Sequence, residues 1–205
     1  MRTVLVWLCL LCVCLCPLGA EEDAPSYLVV AAEDMEDALV ERVRGWMEKN
    51  LHYPVRVARL PGWEGETGEA QAEAVLERVE TPGLVTVVMS DRLKGGAHAV
   101  TVPERRVGVM NVALLVPEVN ETTLRRLDRQ AIRIVGFSLG VPPQPVPFCA
   151  LYPYQNLEEL DRIGRGFSPP AMARYRRALE EREIPLSPDA RRYLPKLQPT
   201  TPSKD

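Results

Sequence analysis

The spacing of apolar residues changes several times along the chain, and each change marks an element. Residues 27–32 (Tyr-Leu-Val-Val-Ala-Ala) form an unbroken apolar run, as expected of a strand covered on both faces. Glu33-Asp34 open a helix with acids in its first turn, where the dipole favours them. Its apolar face is Leu39, Val43, Trp46 and Met47, at i, i+4, i+7 and i+8. Glu41, Arg42, Arg44 and Glu48 fall on the other, solvated face. A second strand spans 54–60, a Pro- and Gly-containing loop 61–68, and an Ala- and Glu-rich helix 69–79, which Thr81-Pro82-Gly83 stops. Residues 84–89 are another near-continuous apolar run, expected of a central strand. Beyond the loop 91–96 come two strands, 97–102 and 105–115, around a turn at Pro103-Glu104.

Thr122 or Thr123 caps a long helix that runs to Gly140, with Leu124, Leu127, Ala131, Ile134 and Val135 as its buried stripe. Gly140 suits the position just past a helix end, and Pro142-Pro143 forbid continuation. A short helix follows at 156–163. Pro169-Pro170 then open a last one over 171–183, with Met172, Tyr175 and Leu179 turned inward. Arg176 with Glu180, and Arg177 with Glu181, are placed to pair at i,i+4 on its outside. This alternation predicts an α/β fold, a mixed β-sheet packed with helices in two or three layers, as a single domain over 21–184.

The two ends of the chain are of a different kind. Residues 4–16 are an apolar run too short to span a bilayer as a helix, Arg2 is the only charge before them, and Leu18-Gly19-Ala20 offers small residues for cleavage. Residues 1–20 therefore read as a signal peptide, and the chain as exported. Residues 185–205 are Pro-rich, polar and without periodicity, the composition of a disordered tail. Cleavage would remove Cys9, Cys12, Cys14 and Cys16 and leave Cys149, so no internal disulfide framework is available. About 185 residues would remain, enough for one domain held by its own core. The net charge of −3 becomes one unit more negative when Arg2 is lost. That balance argues against nucleic acid as a partner, and no second apolar run offers a membrane anchor.

Two kinds of chemistry compete for the long helix. Gly136-Phe137-Ser138-Leu139-Gly140 matches the Gly-x-Ser-x-Gly elbow of α/β-hydrolases, after a strand-like run at 132–135, which would make Ser138 a nucleophile. That fold needs a His after the Ser, and none follows His98. The elbow must also enter a helix, whereas Val141-Pro142-Pro143 follows here. A Ser without a general base is a weak nucleophile.

With the residues downstream included, the same stretch resembles the archaemetzincin family. That family carries His-Glu-x-Gly-His-x-x-Gly-Leu-x-His-Cys, then Cys-Val-Met, then a segment like Ser-Leu-Glu-Glu-Leu-Asp-Arg-Lys-Gly, then Cys-x-x-Cys. This chain keeps Gly136 and Gly140, Cys149, the run Leu157-Glu158-Glu159-Leu160-Asp161-Arg162-Ile163-Gly164, and Phe167 with the proline pair. The resemblance implies a metzincin-like domain and assigns the catalytic zinc ligands to Arg133, Phe137 and Pro143. It assigns the general base to Ile134 and the methionine beneath the metal to Leu151. A guanidinium has no lone pair to give, and Ile, Phe and Pro carry no ligand atom. The four-cysteine zinc site of the family maps to Gln144, Cys149, Ser168 and Ala171, one sulfur of four.

The expectation is thus a domain with no catalytic residue, no metal and no cofactor. Ile134 and Phe137 would fill the former cleft with apolar contacts. Arg133 would need an acid or solvent, with Glu158, Glu159 and Asp161 as the candidate acids. Such a pseudo-metalloprotease is expected to bind a peptide or protein by strand addition along 97–102. The alternative is an active hydrolase, through Ser138 or through a displaced metal on His52, His98 and Cys149. Gly95-Gly96 lacks the following helix that a phosphate loop needs. Asn120-Glu121-Thr122 is a glycosylation acceptor in a eukaryotic host.

Overall fold

The computed structural model describes residues 25–186. The signal segment 1–20 lies outside the described residues, as does the tail beyond 186. Five strands form one sheet: β1 (Tyr27–Ala32), β2 (Val55–Leu60), β3 (Thr86–Ser90), β4 (Ala99–Val102) and β5 (Val107–Asn111). Their order is β2-β1-β3-β5-β4, parallel throughout except for β4, which runs antiparallel to β5. Among the described residues six α-helices complete the domain: α1 (Asp37–Leu51), α2 (Gly68–Leu76), α3 (Val112–Leu115), α4 (Glu121–Ser138), α5 (Leu157–Arg162) and α6 (Pro169–Glu180).

The period of two along each strand divides the core into three layers. Tyr27, Val29, Ala31, Val87, Met89 and Met110 face the layer that holds α1, α4 and α6. Leu28, Val30, Val88, Val107 and Val109 face α2, which contributes Ala72 and Val75. Glycine permits the closest approach of α2 to the sheet, since a Cβ on Gly68 would lie 2.4 Å from Val100 Cβ. The unbroken apolar runs at 27–32 and 84–89 thus belong to strands covered on both sides, as their pattern implies.

Several expectations need correction. Glu33-Asp34 do not open α1, because the Glu33 N–H still donates to Leu60 O and holds the chain on the sheet. The run 105–115 is not one strand. It breaks at Asn111, whose Oδ1 accepts from Leu114 N to cap α3 and whose Nδ2 donates to Leu93 O. Asn120, not a threonine, is the N-cap of α4. Thr123 completes the reciprocal box by accepting the Asn120 N–H at 3.1 Å. Residues 132–135 are helical, so Ser138 ends a helix and does not follow a strand. Arg176 is buried, not on the outside of α6. Gly140 does take the left-handed turn expected after α4, with φ +79.

Candidate functional site

The long helix α4 carries three arginines on one face, Arg126, Arg129 and Arg133, at i, i+3 and i+7. All three donate into the segment 150–163. Arg126 grips Asp161 with two bonds, Nε to Oδ1 at 2.9 Å and Nη2 to Oδ2 at 2.7 Å. Arg129 donates to the carbonyls of Ile163 at 3.0 Å and Asp161 at 2.7 Å. Arg133 Nη1 donates to the carbonyls of Ala150 at 2.6 Å and Tyr152 at 2.7 Å. This ladder fixes the loop that closes over α4. The sequence pattern singled out Arg133 alone; the helical spacing of the three is the signal by which the others could be found.

Arg133 finds no acid among the described residues. Glu158 pairs with Arg162, Glu159 accepts the Gln155 N–H, and Asp161 belongs to Arg126. Its guanidinium carbon lies 4.7 Å from the Tyr154 ring centre and 5.1 Å from that of Phe137. Carbonyl dipoles and ring faces thus stabilise a charge that was expected to meet an acid or solvent. Burial lowers the Arg133 pKa, while Tyr154 and Cys149 act in the opposite sense. Tyr154 carries the arrangement further. Its hydroxyl accepts from Gln130 Nε2 and meets His98 Nδ1 at 3.3 Å, and its ring stacks on His98 at 5.6 Å. His98 leads into β4, so one aromatic ring spans the space between Arg133 and the sheet edge.

The other positions assigned to the catalytic metal hold packing residues. Ile134 is buried against β5, where a Cβ on Gly108 would lie 2.6 Å from Ile134 Cγ2. Phe137 is partly buried beneath Arg133, and Pro143 is exposed on the following loop. Leu151 is fully buried against Gly136, whose added Cβ would meet Leu151 Cδ2 at 2.8 Å. None of these side chains offers a lone pair directed at a common point, so the residues present do not fit a zinc ion.

Gln144, Cys149, Ser168 and Ala171 are all buried. The structure brings Ser168 to Cys149, with Ser168 N donating to the sulfur at 3.4 Å. Gln144 turns its amide back to the carbonyls of Pro142 and Pro143. One sulfur with Ala, Ser and a self-bonded Gln does not fit a metal either. Among the described residues, no three His, Cys, Asp or Glu side chains are grouped to hold an ion, so His52, His98 and Cys149 form no site. Ser138 Oγ is buried without a hydrogen-bond partner among the described residues, so no base reaches it.

The free edge of β4 borders this region. Asn111 N donates to His98 O, which puts residues 98, 100 and 102 in hydrogen-bonded register with β5. Ala99 and Thr101 therefore direct their N–H and C=O groups outward. Beside Tyr154 lies an open hollow of about 450 Å³ lined by Pro147, Tyr152, Pro153, Tyr154, Gln155 and Glu159, among others. Phe148 stands 70 % exposed in the neighbouring loop.

Comparison with protein-family models and with curated proteins finds no match. Solved structures do match. An archaemetzincin from Methanopyrus kandleri superposes with a TM-score of 0.64 at 17 % identity, over 80 % of this chain and 99 % of that one. A zinc-dependent peptidase from Methanocorpusculum labreanum gives a TM-score of 0.58 at 14 % identity, over 73 % and 99 %. An archaemetzincin from Archaeoglobus fulgidus, crystallised with malonate, gives 0.55 at 14 % identity, over 72 % and 99 %. The chain therefore has the archaemetzincin fold, with the mixed sheet and single domain that the sequence pattern implies.

Proposed function

We propose that this chain is an exported protein of archaemetzincin fold that does no metal-dependent hydrolysis and binds a peptide or protein segment in extended form along β4. The observation that carries the reading is the use made of the helix face. Arg133 holds the closing loop and Ile134 packs on Gly108, so the positions that would serve a metal are taken by structural contacts. A fold of this shape keeps its edge strand when the chemistry is gone. Ala99 and Thr101 offer two outward N–H and C=O pairs, enough for an added strand to dock. Export rests on residues 1–20.

The test is a selection of linear peptides on the immobilised protein, repeated with Thr101→Pro. Proline at 101 removes an outward donor and leaves the ladder to β5 intact, because the bonded residues are 100 and 102. Selected peptides should bind the variant about ten-fold more weakly or worse, since one backbone hydrogen bond and the close approach are both lost. Equal binding to a folded Thr101→Pro protein would remove strand addition at β4.

A further inference from the structure

Of the three ladder arginines, Arg133 alone presents an unused edge to solvent. Arg126 is fully engaged, and the free nitrogen of Arg129 is sealed in the interior. The Nε and Nη2 of Arg133 find no acceptor among the described residues, and neither is sealed from solvent. The ionisable groups that bear on its charge are Tyr154 and Cys149, so no carboxylate neutralises it. Its direction is set twice over, by the two carbonyls on Nη1 and by the rings of Phe137 and Tyr154. A guanidinium held this way has little freedom left to lose on binding. Its open Nε–Nη2 side is the planar fork that receives both oxygens of a carboxylate.

We infer that the open edge of Arg133 is a carboxylate-binding site, which anchors the ligand that lies along β4. The inference rests on the peptide-binding reading for the identity of its ligand, and on Arg133 itself for the chemistry. The link between the two is Tyr154, whose ring meets Arg133 and also stacks on His98, at the start of β4. The carboxylate comes from a peptide C-terminus or from an Asp or Glu side chain, and the experiment separates these sources.

The protein is labelled with ¹⁵N-arginine, and the Arg133 Nε–H signal is assigned by its disappearance in Arg133→Lys. Sodium succinate should shift that signal saturably, while sodium chloride at matched ionic strength should not. Three probes follow: N-acetyl tetra-alanine as the free acid, its C-terminal amide, and the same amide with one Glu. The free acid should bind about ten-fold more tightly than the plain amide, the worth of a charge-assisted hydrogen bond. Equal gain in the Glu peptide assigns the site to any carboxylate, and no gain there assigns it to the chain terminus. The advantage should vanish in Arg133→Met and Arg133→Lys, with folding checked by near-ultraviolet circular dichroism. Arg133→Lys keeps a cation without the fork, so it guards against loss of fold as the cause. No succinate shift, or peptides that bind alike with and without a carboxylate, would overturn the site. In the second case binding along β4 would stand without it. A succinate shift with all three peptides silent would keep the site and remove the peptide reading.

Discussion

Ile134 separates a filled cleft from an open one. Its side chain is buried against Gly108, so the position to which the resemblance assigns a general base makes a core contact between α4 and β5. Ile134→Glu should therefore destabilise the fold by about 3 kcal/mol or more, because it buries an unpaired carboxylate. Urea unfolding measures this. A change within about 0.5 kcal/mol, the usual cost at a solvent-facing position, would mean the residue faces a cleft. That residues 133, 134, 137 and 143 carry no metal-ligand atom is legible in the sequence, because residue type alone decides it. The partners of Arg133 were not legible. They are carbonyls of residues 150 and 152, whose placement depends on how the loop folds back over α4, and residue type says nothing of backbone oxygens.

At the scale of elements, α4 is held on both sides by charge. Towards 150–163 stands the arginine ladder; towards α1 stands Asp128, with no exposed side-chain surface. Asp128 accepts from Arg42 Nε at 2.8 Å and Nη2 at 2.6 Å, and from Arg165 Nη1 at 3.2 Å. Arg165 in turn lies 4.3 Å over the Trp46 ring, and the Trp46 indole donates to the Arg165 carbonyl. Three segments thus meet on one carboxylate. Asp128→Ala should cost about 2–3 kcal/mol in urea unfolding, somewhat below the range for fully buried pairs because Arg42 and Arg165 keep partial access to water. A loss under about 0.5 kcal/mol would show that the junction is held by packing alone. The apolar pattern of α4 and Gly140 mark its extent, but the pattern of α1 placed Arg42 on a solvated face. The clue was Asp128 itself, a poor helix former set next to Leu127 in the buried stripe.

For the whole molecule, the strand and helix alternation carried the fold class, because strands covered on both faces announce themselves as unbroken apolar runs. The order β2-β1-β3-β5-β4 depends on pairing between distant segments, and periodicity does not encode that, whereas the antiparallel β4–β5 pair follows from the short turn at Pro103-Glu104. The resemblance to archaemetzincins named the fold, and the solved structures of that fold agree with it. A domain of this fold with Arg133, Phe137 and Pro143 at the positions assigned to the metal should keep its shape without zinc. Zinc content by elemental mass spectrometry, after exhaustive dialysis, tests this most directly. The sample should begin at Glu21, so that Cys9, Cys12, Cys14 and Cys16 cannot contribute. Zinc should lie far below one ion per chain, and a chelator should leave the melting temperature unmoved. Stoichiometric zinc that survives dialysis would contradict this, and would require ligands other than those assigned to Arg133, Phe137 and Pro143.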